Sequence, residues 1–156
     1  MAEIYIALKW AHVVGATILF GTGLGTAFHF WMAHRTGDAR TVAAAARVTV
    51  IADYAFTLPA VVLQPITGIA LAHAAGYPLG SRWIVGSILL YLLAGACWVP
   101  VVLIQRRLRD IALACATAQA PLDDEYRRLA RWWFALGWPA FMALAVVFWL
   151  MIARPA

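Results

Sequence analysis

Arg82-Trp83-Ile84-Val85-Gly86-Ser87-Ile88-Leu89-Leu90-Tyr91-Leu92-Leu93-Ala94-Gly95-Ala96-Cys97-Trp98-Val99-Pro100-Val101-Val102-Leu103-Ile104-Gln105-Arg106-Arg107 carries no charge between its flanking arginines. A helix rises about 1.5 Å per residue and a bilayer's hydrocarbon core is about 30 Å thick, so about 20 apolar residues cross it. This stretch meets that requirement, and the arginines that follow, Arg106, Arg107 and Arg109, mark where the lipid ends. The helix is expected to span from Arg82 to about Gln105 and to continue outside the membrane to Ala118.

The rest of the chain repeats the pattern. Of 156 residues, 65% are hydrophobic and 12% are charged, against roughly 25% charge in soluble domains. No soluble core of this size could hide so much apolar surface. The reading is an all-α, integral membrane four-helix bundle, one domain over 1–156, with spans at about 4–33, 53–75, 82–105 and 128–153. Thr36-Gly37-Asp38 ends the first helix, and Thr41 to Val50 is an Ala-rich helical connector. Gly76-Tyr77-Pro78-Leu79-Gly80-Ser81 is a short turn. Pro121 and Asp123-Asp124-Glu125 open the fourth helix, with acids at the positive end of its dipole. The first apolar stretch lacks a charged n-region and a small-residue cleavage site and is expected to stay as a helix.

The net charge of +5 reports orientation and contact with anionic lipid; no basic run interleaved with aromatics suggests a nucleic-acid partner. Arg35, Arg40, Arg47, Arg106, Arg107, Arg109, Arg127, Arg128 and Arg131 fall in the first and third connectors, and only Arg82 and Arg154 fall elsewhere. Nine arginines against two place those connectors in the cytoplasm, with helical extensions there and both termini outside.

Depth then sorts the polar residues. Measured from the outer helix ends at about 1.5 Å per residue, His12 lies roughly 12 Å down, Gln64 roughly 16 Å and Tyr91 roughly 13 Å. Three helices thus bring polar side chains to one layer, with Lys9 and Arg82 nearer the surface. An ionisable residue such as His12 is costly at that depth, and Gly15, on the same helical face, leaves room for something large to approach the imidazole. Two readings stand. The layer is either a packing layer, with His12 bonded to Tyr91 or Gln64, or a cofactor pocket with His12 as metal ligand. His73 is the candidate second ligand; His29 and His34 read as interfacial, with His34 in the cytoplasmic connector. Pro59 and Pro65 each free a carbonyl four residues earlier, which neighbours must satisfy. Asp53, Thr57, Gln64 and Gly68 approximate one inward face, and Asp53 is expected to pair with Arg47 or Arg131. Trp10, Trp83, Trp132, Trp133 and Trp149 read as an interfacial belt, and the deeper Trp98 and Trp138 as core packing before pocket walls. Cys97 and Cys115, on one helix and about 27 Å apart, are beyond disulfide reach.

Lys9-x-x-His12-Val13-Val14-Gly15, the glycines after Phe20 and His34 at the inner end resemble the first helix of HemJ-type protoporphyrinogen oxidases and CopD-like four-helix membrane proteins. A longer pattern resembles a bacterial family of predicted integral membrane proteins of unknown function. It runs through Gly21-Thr22-Gly23-Leu24-Gly25, Pro59-Ala60-x-x-x-Gln64-Pro65-x-Thr67-Gly68, Ala94-Gly95-Ala96-Cys97-Trp98-x-Pro100 and Trp138-Pro139-Ala140. The first resemblance implies haem b on His12, with Gly15 beside it. Lys9 and Arg82 would pair with the propionates, and Gln64 and Tyr91 would form the polar wall. Trp83 to Ile88 lacks the third-helix lysine of the HemJ-type enzymes, which leaves porphyrinogen oxidation outside the expectation. The expected function is therefore electron transfer or membrane redox chemistry by a b-type haem protein of a bacterial inner membrane, its termini periplasmic. Expected partners are the lipid bilayer, haem, a quinone or redox partner, and a second copy of the chain. The alternative is a cofactor-free small transport or accessory subunit.

Overall fold

The computed structural model describes residues 2–155. Five helices make four rods: α1 (Ala2–Thr36), then α2 (Ala39–Ala52) and α3 (Leu58–Ala74) in one continuous rod, then α4 (Arg82–Thr117) and α5 (Asp124–Ala153). All four rods are long and apolar enough to cross a membrane, and the architecture is a four-helix membrane bundle. α1 packs along α2 and α3, α4 packs along α5, and α2 joins the two pairs by packing against α4.

The ends follow from local chemistry. Gly37 takes φ +69° after α1, where a Cβ would strain the chain. The Asp38 side chain then accepts the Thr41 N–H at 2.8 Å and caps α2. Gly76, at φ +73°, closes α3. The Asp123 carboxylate accepts the Tyr126 N–H at 2.7 Å and opens α5, as the acidic run there foretold.

One boundary differs from the expectation. The connector from Thr41 to Val50 does not stop before a span beginning near Asp53. Helix runs on through a single π-helical turn, Asp53–Thr57, in which the Leu58 N–H reaches back five residues to the Asp53 carbonyl. Pro59 follows at the start of α3. It has no N–H to give, and a wider turn just before it lets the rod continue where a break was expected.

The tightest packing lies at the arginine-rich end. Phe30, Val42, Leu108, Tyr126 and Trp133 form a buried cluster there with Ala45, Ala46 and Ala112. His34 belongs to α1, not to a connector, and its Nδ1 lies 3.0 Å from the buried Tyr126 hydroxyl. At about 1.5 Å per residue, rods of this length exceed the hydrocarbon thickness, so the surplus forms helical extensions. At the opposite end the Arg154 guanidinium sits over the Tyr77 ring, 5.1 Å from its centroid, and 6.0 Å from that of Trp83. Trp10, Trp132 and Trp149 are exposed as belt residues should be; Trp133 is buried and belongs to the core instead.

Candidate functional site

His12 and Gln64 do share a layer, and glycines explain how. A Cβ at Gly15 would stand 2.5 Å from Gln64 Nε2, and one at Gly68 would stand 3.2 Å from His12 Cε1. Each helix is thinned where the other inserts its polar side chain. The space opposite Gly15 is thus taken by the Gln64 amide, not by a macrocycle. Gln64 Nε2 donates to the His12 carbonyl at 3.1 Å. His12 Nδ1 lies 2.8 Å from Thr67 Oγ1. Thr67, missed by reckoning depth alone, sits three residues beyond Gln64 on the same face. Its hydroxyl also lies 2.8 Å from the Leu63 carbonyl. With its proton there, the imidazole donates from Nδ1 and the Nε2 lone pair is open.

Tyr91 joins this layer at a different point. Its hydroxyl donates to the Val61 carbonyl at 2.6 Å. Val61 is four residues before Pro65 and has lost its helical donor to that proline. The tyrosine is therefore the neighbour that a proline at membrane depth requires. Of the two partners expected for His12 in a packing layer, Gln64 bonds to it, through the His12 backbone carbonyl, and Tyr91 does not.

A second polar group lies farther toward the arginine-rich end. Asp53, buried at 6% exposure, accepts a hydrogen bond at Oδ2 from Gln105 Nε2. Gln105 Oε1 accepts the Trp133 indole N–H at 3.2 Å. Indole only donates, which orients the Gln105 amide and obliges its nitrogen to face the carboxyl group. The expected partners, Arg47 and Arg131, are exposed instead, and among the described residues Asp53 has no ion pair. A buried amide satisfies the carboxyl without bringing a guanidinium out of water. Thr57, one turn along, is close to the carboxyl, yet its buried Oγ1 makes no hydrogen bond of ordinary geometry.

Asp53, Gln105, Thr57 and Tyr91 face a cavity of about 640 Å³ bordered by all four rods and open on one side. Its wall is mostly apolar and aromatic, with Asp53, Gln105, Thr57 and Tyr91 supplying polar groups. Phe20, edge-on to Phe141 and Phe148 at 5.6 and 5.4 Å, closes one end. Trp133, packed edge-on against Phe30 at 5.0 Å, lines the cavity toward the arginine-rich end. The mouth opens between α1 and α5: Leu24, Phe28, Trp138 and Met142 line the cavity and are exposed, whereas no lining residue from the other rods is. Trp98 and Trp138 are thus wall residues, not core packing. The signals for this site were the inward face holding Asp53 and Thr57 and the polar Gln105 at a span's edge.

The haem expectation meets a divided result. His12 Nε2 fits an axial ligand, held as it is by a hydrogen bond at Nδ1. Gln64 and Gly68 pack against the ring, so a macrocycle would have to lie on the side they leave free. His12 does not line the large cavity. His73, proposed as second ligand, is exposed near the end of α3, and Lys9 and Arg82 are exposed as well. Among the described residues no three His, Cys, Asp or Glu side chains gather at one point, and Cys97 and Cys115 are free thiols.

Residues 6–155 match the family described as predicted integral membrane protein (DUF2269), and the chain belongs to that family. No curated protein and no solved structure matches it.

Proposed function

We propose that this DUF2269 member is a membrane-embedded binding protein, acting in transport or redox chemistry. It takes a lipophilic molecule from the bilayer into the cavity between its helices and holds the polar end at Asp53 and Gln105. The cavity carries the reading: about 640 Å³, largely apolar, with a few convergent polar groups. Ligand sites have that size and that character, at roughly 300–1,000 Å³. A mouth lined by exposed apolar residues of α1 and α5 suits entry from lipid rather than from water. A buried ionisable residue within a membrane rod suggests a functional site, and Asp53 is one such residue that also lines the cavity.

The test is binding. Trp98, Trp133 and Trp138 line the cavity, so their fluorescence reports occupancy. Purified protein is titrated with a cationic, a neutral and an anionic lipophile: tetraphenylphosphonium, decylubiquinone and oleate. Saturable quenching by at least one is expected, and Gly95→Leu with Gly137→Leu should abolish it. A Cβ at either glycine meets nothing within 4 Å, and both glycines line the cavity, so the added side chains start into its space. Quenching that never saturates, or that survives both leucines, overturns the reading.

A second reading is favoured by the open Nε2 of His12: haem b bound there, on the ring's free side, in electron transfer. Protein purified with haemin supplied would show a Soret band lost in His12→Ala; absence of the band from wild type removes this reading. Under either reading the arginine-rich end lies in the cytoplasm of a bacterial inner membrane, with both termini outside.

A further inference from the structure

The nature of the ligand's polar end can be argued from Asp53, on the premise that the cavity is a ligand site. The carboxyl group is buried, and Gln105, which donates to it, is neutral, as is the neighbouring Thr57. Among the described residues Oδ1 makes no hydrogen bond. Among those residues, too, Asp53 and Tyr91 are the only titratable side chains in the cavity wall, which includes no lysine, arginine or histidine. From α4 the carboxyl group is faced by Gln105, from α5 by Trp133 through that amide, and along its own rod by Thr57. α1 lines the cavity with apolar residues, glycine and Thr26. A carboxyl group so enclosed is stable in two states, protonated or beside a cation, because an isolated anion at low dielectric is too costly. The described wall supplies no cation.

The rest of the wall is apolar, and aromatic rings recur in it. Tyr91, Trp98, Trp133, Phe134, Trp138 and Phe141 surround the space. Ring faces attract a cation, most strongly where water is excluded. An uncompensated carboxyl group at the base of an aromatic cavity is complementary to a charge that is positive, diffuse and clothed in hydrocarbon. We infer that the cavity binds lipophilic organic cations, and that the cation and a proton compete for Asp53.

The proton balance follows from the two states. When the cation enters at a pH where Asp53 holds its proton, that proton leaves and the net charge of the site is unchanged. Each bound cation then releases one proton, and affinity weakens by about tenfold for each pH unit below the titration of Asp53.

The experiment uses the full chain in detergent, with tetraphenylphosphonium as cation and triphenylphosphine oxide as neutral counterpart. Equilibrium dialysis reads binding, and a dye in weak buffer reads proton release on wild type. Expected results are saturable uptake of the cation with proton release, and cation binding weaker by about tenfold or more in Asp53→Asn. Asp53→Glu should restore it. Binding of the neutral compound with none of the cation overturns the inference and leaves the pocket reading in place. Binding of neither overturns both. Equal cation binding by wild type and Asp53→Asn, or cation uptake by wild type without proton release across the pH range, also overturns it. The proton-release arm needs no variant and decides the matter even where Asp53→Asn does not fold.

Discussion

Removing the Tyr91 hydroxyl should destabilise the bundle mainly through the carbonyl it leaves behind on a neighbouring helix. The hydroxyl donates to the Val61 carbonyl at 2.6 Å, a group that Pro65 deprives of its helical partner. In Tyr91→Phe that carbonyl has no donor in a region without bulk water. An unsatisfied buried group costs about 1–3 kcal/mol, while hydrogen bonds within membranes average about 0.6 kcal/mol and reach about 1.7. A loss of about 1–1.7 kcal/mol lies where those ranges overlap. Pro65→Ala changes the arithmetic, because an alanine at that position carries an N–H four residues beyond Val61 and returns the helical bond. In that background Tyr91→Phe should cost less than about 0.5 kcal/mol, leaving a coupling of about 1 kcal/mol between residues 65 and 91. The four proteins are compared by reversible SDS unfolding in mixed micelles, followed by circular dichroism. Equal costs of Tyr91→Phe in both backgrounds, within about 0.3 kcal/mol, would refute the account of the proline-freed carbonyl.

The α1–α3 clasp makes a related prediction. Gly15→Ala puts a methyl 2.5 Å from Gln64 Nε2, so it should displace the amide, break its bond to the His12 carbonyl and cost about 1 kcal/mol in the same unfolding assay. Adding Gln64→Ala should remove most of the Gly15→Ala penalty; an undiminished penalty would show that the methyl clashes with something else. At the α1–α2 turn, hydrogen bonds from the Thr41 hydroxyl and N–H hold the Asp38 carboxyl below its ordinary range. A depressed carboxyl pKa stabilises the fold above the unfolded value, and that contribution is lost as pH falls through the folded one. The Thr41 amide resonance should therefore titrate below an unstructured aspartate; a midpoint at or above it contradicts the cap. Alkaline phosphatase fused after the C-terminus should be active, since the enzyme works only outside the cytoplasm; an inactive fusion whose cytoplasmic counterpart reporter is active reverses the orientation.

The rods were legible because lipid imposes a coarse rule that composition obeys. A charge-free run such as Trp83 to Gln105 has little choice but to cross, and Gly37, Gly76 and Asp123 end or begin helices by local chemistry. The misplaced boundary before Asp53 shows what the rule measures. Arginines such as Arg47 mark where the lipid ends, whereas a helix ends only where its backbone bonds fail. Between Val50 and Leu58 those bonds do not fail; they change register by one residue.

The site was legible in depth and illegible in angle. Rise along a helix is a single coordinate, and it brought His12, Gln64 and Tyr91 to about the same height. Which side chains then meet depends on rotation about each axis, set by packing against neighbours. Rotation gave Thr67 to His12 and Val61 to Tyr91. The expected pairing of Asp53 with Arg47 failed for a reason already present in the spacing. Six residues along an α-helix turn the chain through about 600°, so the two side chains point about 120° apart. Arg47 faces outward and could reach Asp53 only by turning from water into the bundle. Attraction between opposite charges is strong at low dielectric, but the cost of moving the guanidinium there is larger. A neutral Gln105, already inside and oriented by Trp133, satisfies the carboxyl at far less cost. That same arrangement leaves Asp53 without a cationic partner, and such a carboxyl group beside a cavity is available to a ligand.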